Sequence, residues 1–521
     1  MDYKTSIAII GTGFAGIGMA IRLKQAGIHD FLIFERGDDV GGTWRDNFYP
    51  GAACDVQSHL YSFSFAPNPD WSRQFAPQEE ILDYLKRCAD SFDLRSHMHF
   101  NSPLIEGRYD EATGLWHAKT ERGDTLEARA VITGCGAFNK PVLPDVKGLS
   151  EFQGELLHTA RWNKQADLRG KRIGVIGTGA SAIQVVPALA THAHKLSLFQ
   201  RTAPWIMPKP NPAYTPEQKR RFRALPITQK AERARIYAKN ELVATGFVLN
   251  PGLMKQGEKF ALRYLASKVR DPALREKLTP KYTIGCKRVL LSNDYLPTLT
   301  RANVEVVTEG ISEVRAHSVV TRDGREFPVD AIVCATGFQV SENAAPFPIY
   351  GRNGLELNES WREHGAEAYK GTTVKGFPNA FIIMGPNTGL GHSSMVLMIE
   401  AQINYALQAI QLMRSEQLKS IEVRPEVQAR FNAWLQQRMS KTVWQRGGCT
   451  SYYNTASGKN TTLWPGFTFE FIAQTRRFDS DSYLIEKQDR PGLLRRKARL
   501  LGLVRRVGGR RDVVSASDAA E

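Results

Sequence analysis

Gly11-Thr12-Gly13-Phe14-Ala15-Gly16 and Gly177-Thr178-Gly179-Ala180-Ser181-Ala182 are the two stretches that decide the fold. Each follows a short apolar run, Ser6 to Ile10 and Arg172 to Ile176, and each opens an amphipathic stretch. In a strand-to-helix turn of this kind the first glycine makes the bend and the second lets backbone N–H groups reach a pyrophosphate. A small third residue lets the helix pack on its strand. One such match is weak. Two, each with the flanks the motif requires, predict two dinucleotides on one chain.

The residue ending the next apolar run separates the two sites, because it falls where an adenosine ribose would lie. Phe31 to Phe34 ends at Glu35, a carboxylate suited to accept hydrogen bonds from a free 2′-hydroxyl. Leu196 to Gln200 ends at Arg201, whose fork suits a 2′-phosphate. The first site is therefore expected to take FAD and the second NADPH.

Working outward, the chain is expected to be α/β, with two Rossmann-like dinucleotide-binding domains, the NADP domain inserted in the FAD domain. Residues 1–145 form the first part of the FAD domain, 146–335 the NADP domain, and 336–485 the rest of the FAD domain. Two buried-type strands, Ala130 to Gly136 and Ala331 to Gly337, run into glycine turns near those boundaries. A charged, Ala-, Arg- and Lys-rich stretch at about 212–281 predicts a helical insertion, and no short repeat is present. The 521 residues, 42% of them hydrophobic, suffice for several cores. Six cysteines without a CxxC pair exclude a zinc ribbon and a dense disulfide framework, so no metal is expected and a reducing cytoplasm is. No stretch has the length of a membrane span, and the first apolar run is too short for a signal peptide.

A net charge of +16 resembles a nucleic-acid binder until its placement is seen. Arg490 to Arg511 carries nine Lys or Arg and no acid, so the excess is concentrated in a basic tail, 486–521, and no nucleic-acid partner is expected.

At Phe152-Gln153-Gly154-Glu155-Leu156-Leu157-His158-Thr159-Ala160-Arg161-Trp162 the chain resembles the FxGxxxHxxxW fingerprint of type I Baeyer-Villiger monooxygenases, placed as in that family just before the second glycine motif. Gly41-Gly42-Thr43-Trp44, Tyr49-Pro50-Gly51 and Asp55 match the family's second signature. Asn163 departs mildly from the Pro or Asp usual after the fingerprint tryptophan, and Trp162 stands where N- and S-oxygenating relatives usually have Tyr or Phe.

The resemblance implies that NADPH reduces FAD, O2 adds to the reduced flavin, and a C4a-peroxyflavin attacks a ketone to give an ester or lactone. By its place in Gly285-Cys286-Lys287-Arg288-Val289-Leu290, Arg288 matches the family's active-site arginine, an always-charged neighbour for a peroxyanion. Asp55 matches the acid that holds it. Lys287 would help Arg201 on the 2′-phosphate, Gly42, Thr43, Trp44 and Tyr61 would line the flavin, and His158 would serve domain movement. Gly385-Pro386-Asn387-Thr388-Gly389 resembles the loop that closes the FAD domain, and Cys449, with no base paired to it, is expected to be structural. Flavin disulfide reductases share the layout but need a CxxxxC pair, and Cys54 stands alone. An N- or S-oxygenating flavin monooxygenase and a non-catalytic, membrane-docking flavoprotein stay open as alternatives. The identity of the ketone and the oligomeric state cannot be read from the sequence.

The tail has an imperfect helical stripe, broken by Arg496 and Lys497, that fits either a solvated extension or weak contact with an anionic membrane surface; the former is the commoner outcome. Truncation after residue 489 is accordingly expected to leave co-sedimentation with anionic liposomes unchanged, and a loss of binding would establish the membrane contact.

Overall fold

The computed structural model describes residues 1–340 and 346–488. The basic tail lies almost wholly outside them, and the strand Tyr483–Lys487 crosses the 485/486 boundary drawn from sequence. No helix among the described residues is long and apolar enough to cross a membrane.

Two sheets organise the chain. The larger has eight strands. At its centre Asp2–Ile10 pairs in parallel with Phe31–Phe34 on one side and with Thr125–Thr133 on the other. Leu104–Asp110 and Leu115–Thr120 extend it as an antiparallel meander. The second sheet is five-stranded and wholly parallel, in the order Val304–Val307, Lys195–Phe199, Arg172–Ile176, Ala331–Cys334, Glu155–His158. All its strands lie in sequence between Thr125–Thr133 and Ala380–Ile382, which pair with each other in the first sheet. The second unit is thus an insertion in the first, as the order of the glycine motifs predicts.

The strands follow from their residues. Ile173, Val175, Ile332 and Val333 are at most 1% exposed, as expected of a parallel sheet covered on both faces. Each fully buried Ile or Val contributes about 1.5–3 kcal/mol. The chain returns through the helix Met395–Ser415, capped by the Ser394 hydroxyl on Val396 N–H, which packs against the helix Phe14–Gln25 that follows the first glycine turn.

The predicted insertion consists of the helices Pro216–Ala224, Pro226–Val248, Met254–Lys268 and Pro272–Lys277. Thr215 opens the first with a capping box shared with Gln218, and proline fills the first helical position, where no N–H is needed. Cys286 and Cys449, which sequence reading left unpaired, form a disulfide across 163 residues. Cys449 is structural as expected, but its partner is the segment that carries Lys287 and Arg288. Cys54, Cys88, Cys135 and Cys334 are free.

The insertion docks on the first unit around His59, which is 2% exposed. Gln229 Nε2 donates to its Nδ1 at 3.2 Å, and the ring packs edge-on against Tyr214 and Phe222. Burial pushes the imidazole pKa down from 6.5 to about 4. The unfolded chain takes up this proton below about pH 6.5 and the folded chain only near 4, so stability is lost as pH falls through that window, by about 3 kcal/mol from this group. In urea titrations His59→Gln is expected to lose less stability than the wild type between pH 7 and pH 4.5. Equal losses would show that the buried ring does not carry the effect.

Candidate active site

The first glycine turn and the Gly41-Gly42 turn face each other over bare backbone. Gly11 has φ +101°, and a Cβ there would meet Gly134 O at 2.8 Å, so only glycine fits. Gly41 N–H donates to Thr12 O at 3.0 Å, and a Cβ on Gly42 would stand 3.0 Å from Gly13 Cα. Gly16 lies so close to Gly11 O that a side chain would overlap it, which brings the helix hard onto the strand. Phe14 and Ala15 bury their side chains in the core, so toward a ligand they offer only backbone N–H groups. Phe14 also packs edge-on against Tyr61 at 5.1 Å, and Trp44 Nε1 donates to the Tyr61 hydroxyl at 3.1 Å. Thr43 opens the exposed start of a short helix beside them. This cradle of unsubstituted backbone and aromatic wall fits a flavin dinucleotide.

Glu35 stands at the end of its strand as expected, but its carboxylate is already engaged. Thr12 donates to Oε2 from N–H at 2.9 Å and from Oγ1 at 2.8 Å, Gly37 N–H donates to Oε1 at 2.7 Å, and Arg45 pairs with Oε1 at 3.0 Å. These contacts fill the roughly four acceptor positions of a carboxylate. The carboxylate thus braces the glycine turn, which sequence reading did not foresee, and a ribose bound here would have to exchange with one of these partners.

The second turn is open. Gly177, at φ +115°, backs onto Ala335 O, whereas a Cβ on Gly179 would meet nothing within 4 Å. Ala180 is exposed, Ser181 half-buried, and Ala182 starts the helix buried in the core. Thr178 Oγ1 donates to Thr202 O at 3.0 Å, tying the turn to the segment of Arg201. Burial, and after it the neighbouring Arg201, lower the pKa of Lys287. The two cations are therefore neighbours, and among the described residues neither forms an ion pair. An open glycine turn beside two cations, one of them 5.2 Å from the centre of the Tyr282 ring, fits a dinucleotide with an additional phosphate.

Between the two cradles the structure brings Arg288 to Asp55, 233 residues away. Arg288 Nε donates to Asp55 Oδ2 at 2.9 Å, Nη2 lies 2.8 Å from the same oxygen, and Nη1 donates to Leu390 O at 3.0 Å. Leu390 directly follows the Gly385–Gly389 loop. The guanidinium side chain is 25% exposed, and Asp55 raises its pKa further above the ordinary arginine value, with Tyr453 and Tyr452 adding smaller contributions, so it stays charged. Nε, Nη2 and Nη1 each have one such contact, so two of its five N–H groups have no partner among the described residues. Burial pushes the Cys54 thiol up to about 12, so this cysteine is neither a thiolate nor a redox partner.

His158 is half satisfied locally: its Nδ1 accepts from Ala160 N–H at 3.0 Å and its Nε2 is 3.5 Å from Thr336 Oγ1, at the joint between the units. Sequence reasoning missed Tyr452 and Tyr453 beside Arg288, and Gln184 and Lys209, which reach the loop of Asp55 from the second unit. Nothing in local sequence marks the last two, since their partners, the Ala53 and Cys54 carbonyls and for Gln184 also the Tyr49 hydroxyl, are remote in the chain.

Residues 8–247 match the pyridine nucleotide-disulphide oxidoreductase family. The chain is 50% identical over 478 residues to a Baeyer-Villiger monooxygenase of Pseudomonas aeruginosa, covering 92% of this chain and 90% of that protein. It resembles the crystal structure of cyclohexanone monooxygenase from Rhodococcus sp. Phi1 bound to NADP+, with a TM-score of 0.83 and 29% identity over 94% of this chain and all of that one. A further neighbour is OTEMO in complex with FAD and NADP, with a TM-score of 0.82 and 28% identity over 92% of this chain and 99% of that one. The two Rossmann-like units, one inserted in the other, and the Asp55–Arg288 junction between them thus belong to a chain that is a member of the Baeyer-Villiger monooxygenases.

Proposed function

We propose that this enzyme uses NADPH and O2 to insert one oxygen atom next to a ketone carbonyl, giving an ester or lactone, with FAD in the 1–145 and 336–485 unit and NADP(H) in the 146–335 unit. The observation that carries the site assignment is the Asp55-held Arg288 guanidinium with two N–H groups uncommitted. Bound FAD, once reduced by NADPH, supplies the activated oxygen. Arg288 stabilises the negative charge that develops on oxygen during insertion, and it does so without a proton that would quench the oxidant. Asp55 holds the guanidinium in place. The backbone N–H groups of Gly11 to Gly16 and Gly177 to Ala182 bind the two pyrophosphates. Gly42, Thr43, Trp44 and Tyr61 shape the flavin wall, and Glu35 takes the FAD ribose by exchanging one of its present donors. Arg201 and Lys287 hold the 2′-phosphate.

Arg288→Ala is expected to keep NADPH-driven flavin reduction while ester formation falls about 10²–10³-fold and hydrogen peroxide replaces the ester. Full ketone turnover by that variant would overturn the assignment. For the second site, Arg201→Ala and Lys287→Ala are each expected to raise the KM for NADPH about tenfold or more, the worth of a charge-assisted hydrogen bond, and to leave the KM for NADH within twofold. Equal effects on both nucleotides would remove these residues from the 2′-phosphate.

A further inference from the structure

Three consecutive residues of the first unit, Ala53, Cys54 and Asp55, are each held by a different side chain of the second. Gln184 Nε2 donates to Ala53 O at 2.9 Å, and its Oε1 accepts from the Tyr49 hydroxyl at 2.7 Å. Lys209 Nζ donates to Cys54 O at 2.9 Å. Arg288 takes the Asp55 carboxylate.

Lys209 lies two residues beyond Ile206–Met207 and Arg288 two residues before Leu290–Leu291, and these two short strands pair in parallel. Asn293 fixes the Lys209 backbone on both sides: its Oδ1 accepts from Lys209 N–H at 2.9 Å, and its Nδ2 donates to Lys209 O at 2.7 Å. The ammonium lies 5.2 Å from the centre of the Phe75 ring.

We propose that Lys209 is a positioning residue for the oxygen insertion, fixing the Cys54–Asp55 peptide so that the Asp55 carboxylate stays aimed at Arg288. The inference rests on the reading of Arg288 given above. The pair needs such a brace, because Arg288 Nε and Nη2 both reach Oδ2 and no hydrogen bond to Oδ1 is made among the described residues. A carboxylate held through one oxygen keeps its aim only while the peptide that carries it stays in place, and the Lys209 bond to Cys54 O holds that peptide. The charge on Lys209 also has a use. Its surroundings contain the anions Asp55 and Asp294, the cation Arg73 and the neutral Cys54 thiol, and burial lowers its pKa. A carbonyl acceptor alone needs only a neutral donor, so a partly buried ammonium is retained at a cost that its attraction to Asp55 offsets.

The test uses the full-length, FAD-loaded enzyme with cyclohexanone as probe ketone and compares Lys209→Met, Lys209→Arg and Arg288→Ala. Displacements near 1 Å in such sites can cost up to 10²-fold, and for Lys209→Met we expect about a tenfold fall in kcat for ester with peroxide rising in its place. Anaerobic flavin reduction and the KM for NADPH should stay within twofold, and Lys209→Arg should recover most of the coupling. A crystal structure of Lys209→Met should show Asp55 Oδ2 displaced from Arg288 Nε by more than 1 Å. Wild-type coupling in Lys209→Met, an unmoved Asp55, or no recovery in Lys209→Arg would overturn the proposal. Arg288→Ala separates the two readings: wild-type ester formation there sinks the parent assignment, whereas its loss beside a fully coupled Lys209→Met sinks this inference alone.

Discussion

A guanidinium that is three-quarters buried must have a counter-ion, and at Arg288 that counter-ion comes from the other unit of the molecule. Removing one partner of such a pair leaves an uncompensated charge at a cost of about 3–5 kcal/mol, so the two units cannot part here without penalty. The Leu390 carbonyl adds a third chain segment. Positions 55, 288 and 390 meet at one side chain. The disulfide from Cys286 to Cys449 holds the same segment from behind, two residues before the arginine.

The two cradles differ in how much of their polar capacity is spent within the protein. Glu35 has its acceptor positions filled by Thr12, Gly37 and Arg45, so the first turn keeps its shape through the protein's own bonds. Arg201 is exposed and has no ion pair among the described residues, and Lys287 is its neighbour. A nucleotide phosphate bound there would relieve repulsion between two cations, with no ion pair among the described residues to displace. A pre-shaped first site suits a resident flavin, and an open, electrostatically unsatisfied second site suits a nucleotide that comes and goes.

What could be read from the sequence divides along the same physical line. Both glycine turns, their strands and the helical insertion are local, set by apolar runs, glycine spacing and helix caps, and the structure places them where those signals lie. The Asp55–Arg288 pair was reached only through family resemblance, because no spacing rule connects residues 233 apart. The Cys286–Cys449 bridge was missed for the same reason: scattered cysteines carry no pairing information until the chain is folded. Gln184 and Lys209 escaped notice because each grips a backbone carbonyl remote in the chain, and a carbonyl leaves no trace in residue identity. Glu35 is the intermediate case, its position legible from the strand end and its partners not.

The geometry at position 288 also explains why a permanent charge alone would not suffice. Nε and Nη2 point to Asp55 while Nη1 points to Leu390, so one rigid plane satisfies two segments and still presents free N–H groups between them. An ammonium is a point charge on a flexible stem: it can reach the carboxylate or the carbonyl, but it cannot hold both in fixed directions and keep a donor aimed at a third place. The planar fork turns a charge requirement into an orientation requirement. The surrounding loops, anchored at Ala53, Cys54 and Leu390, are arranged to meet that orientation.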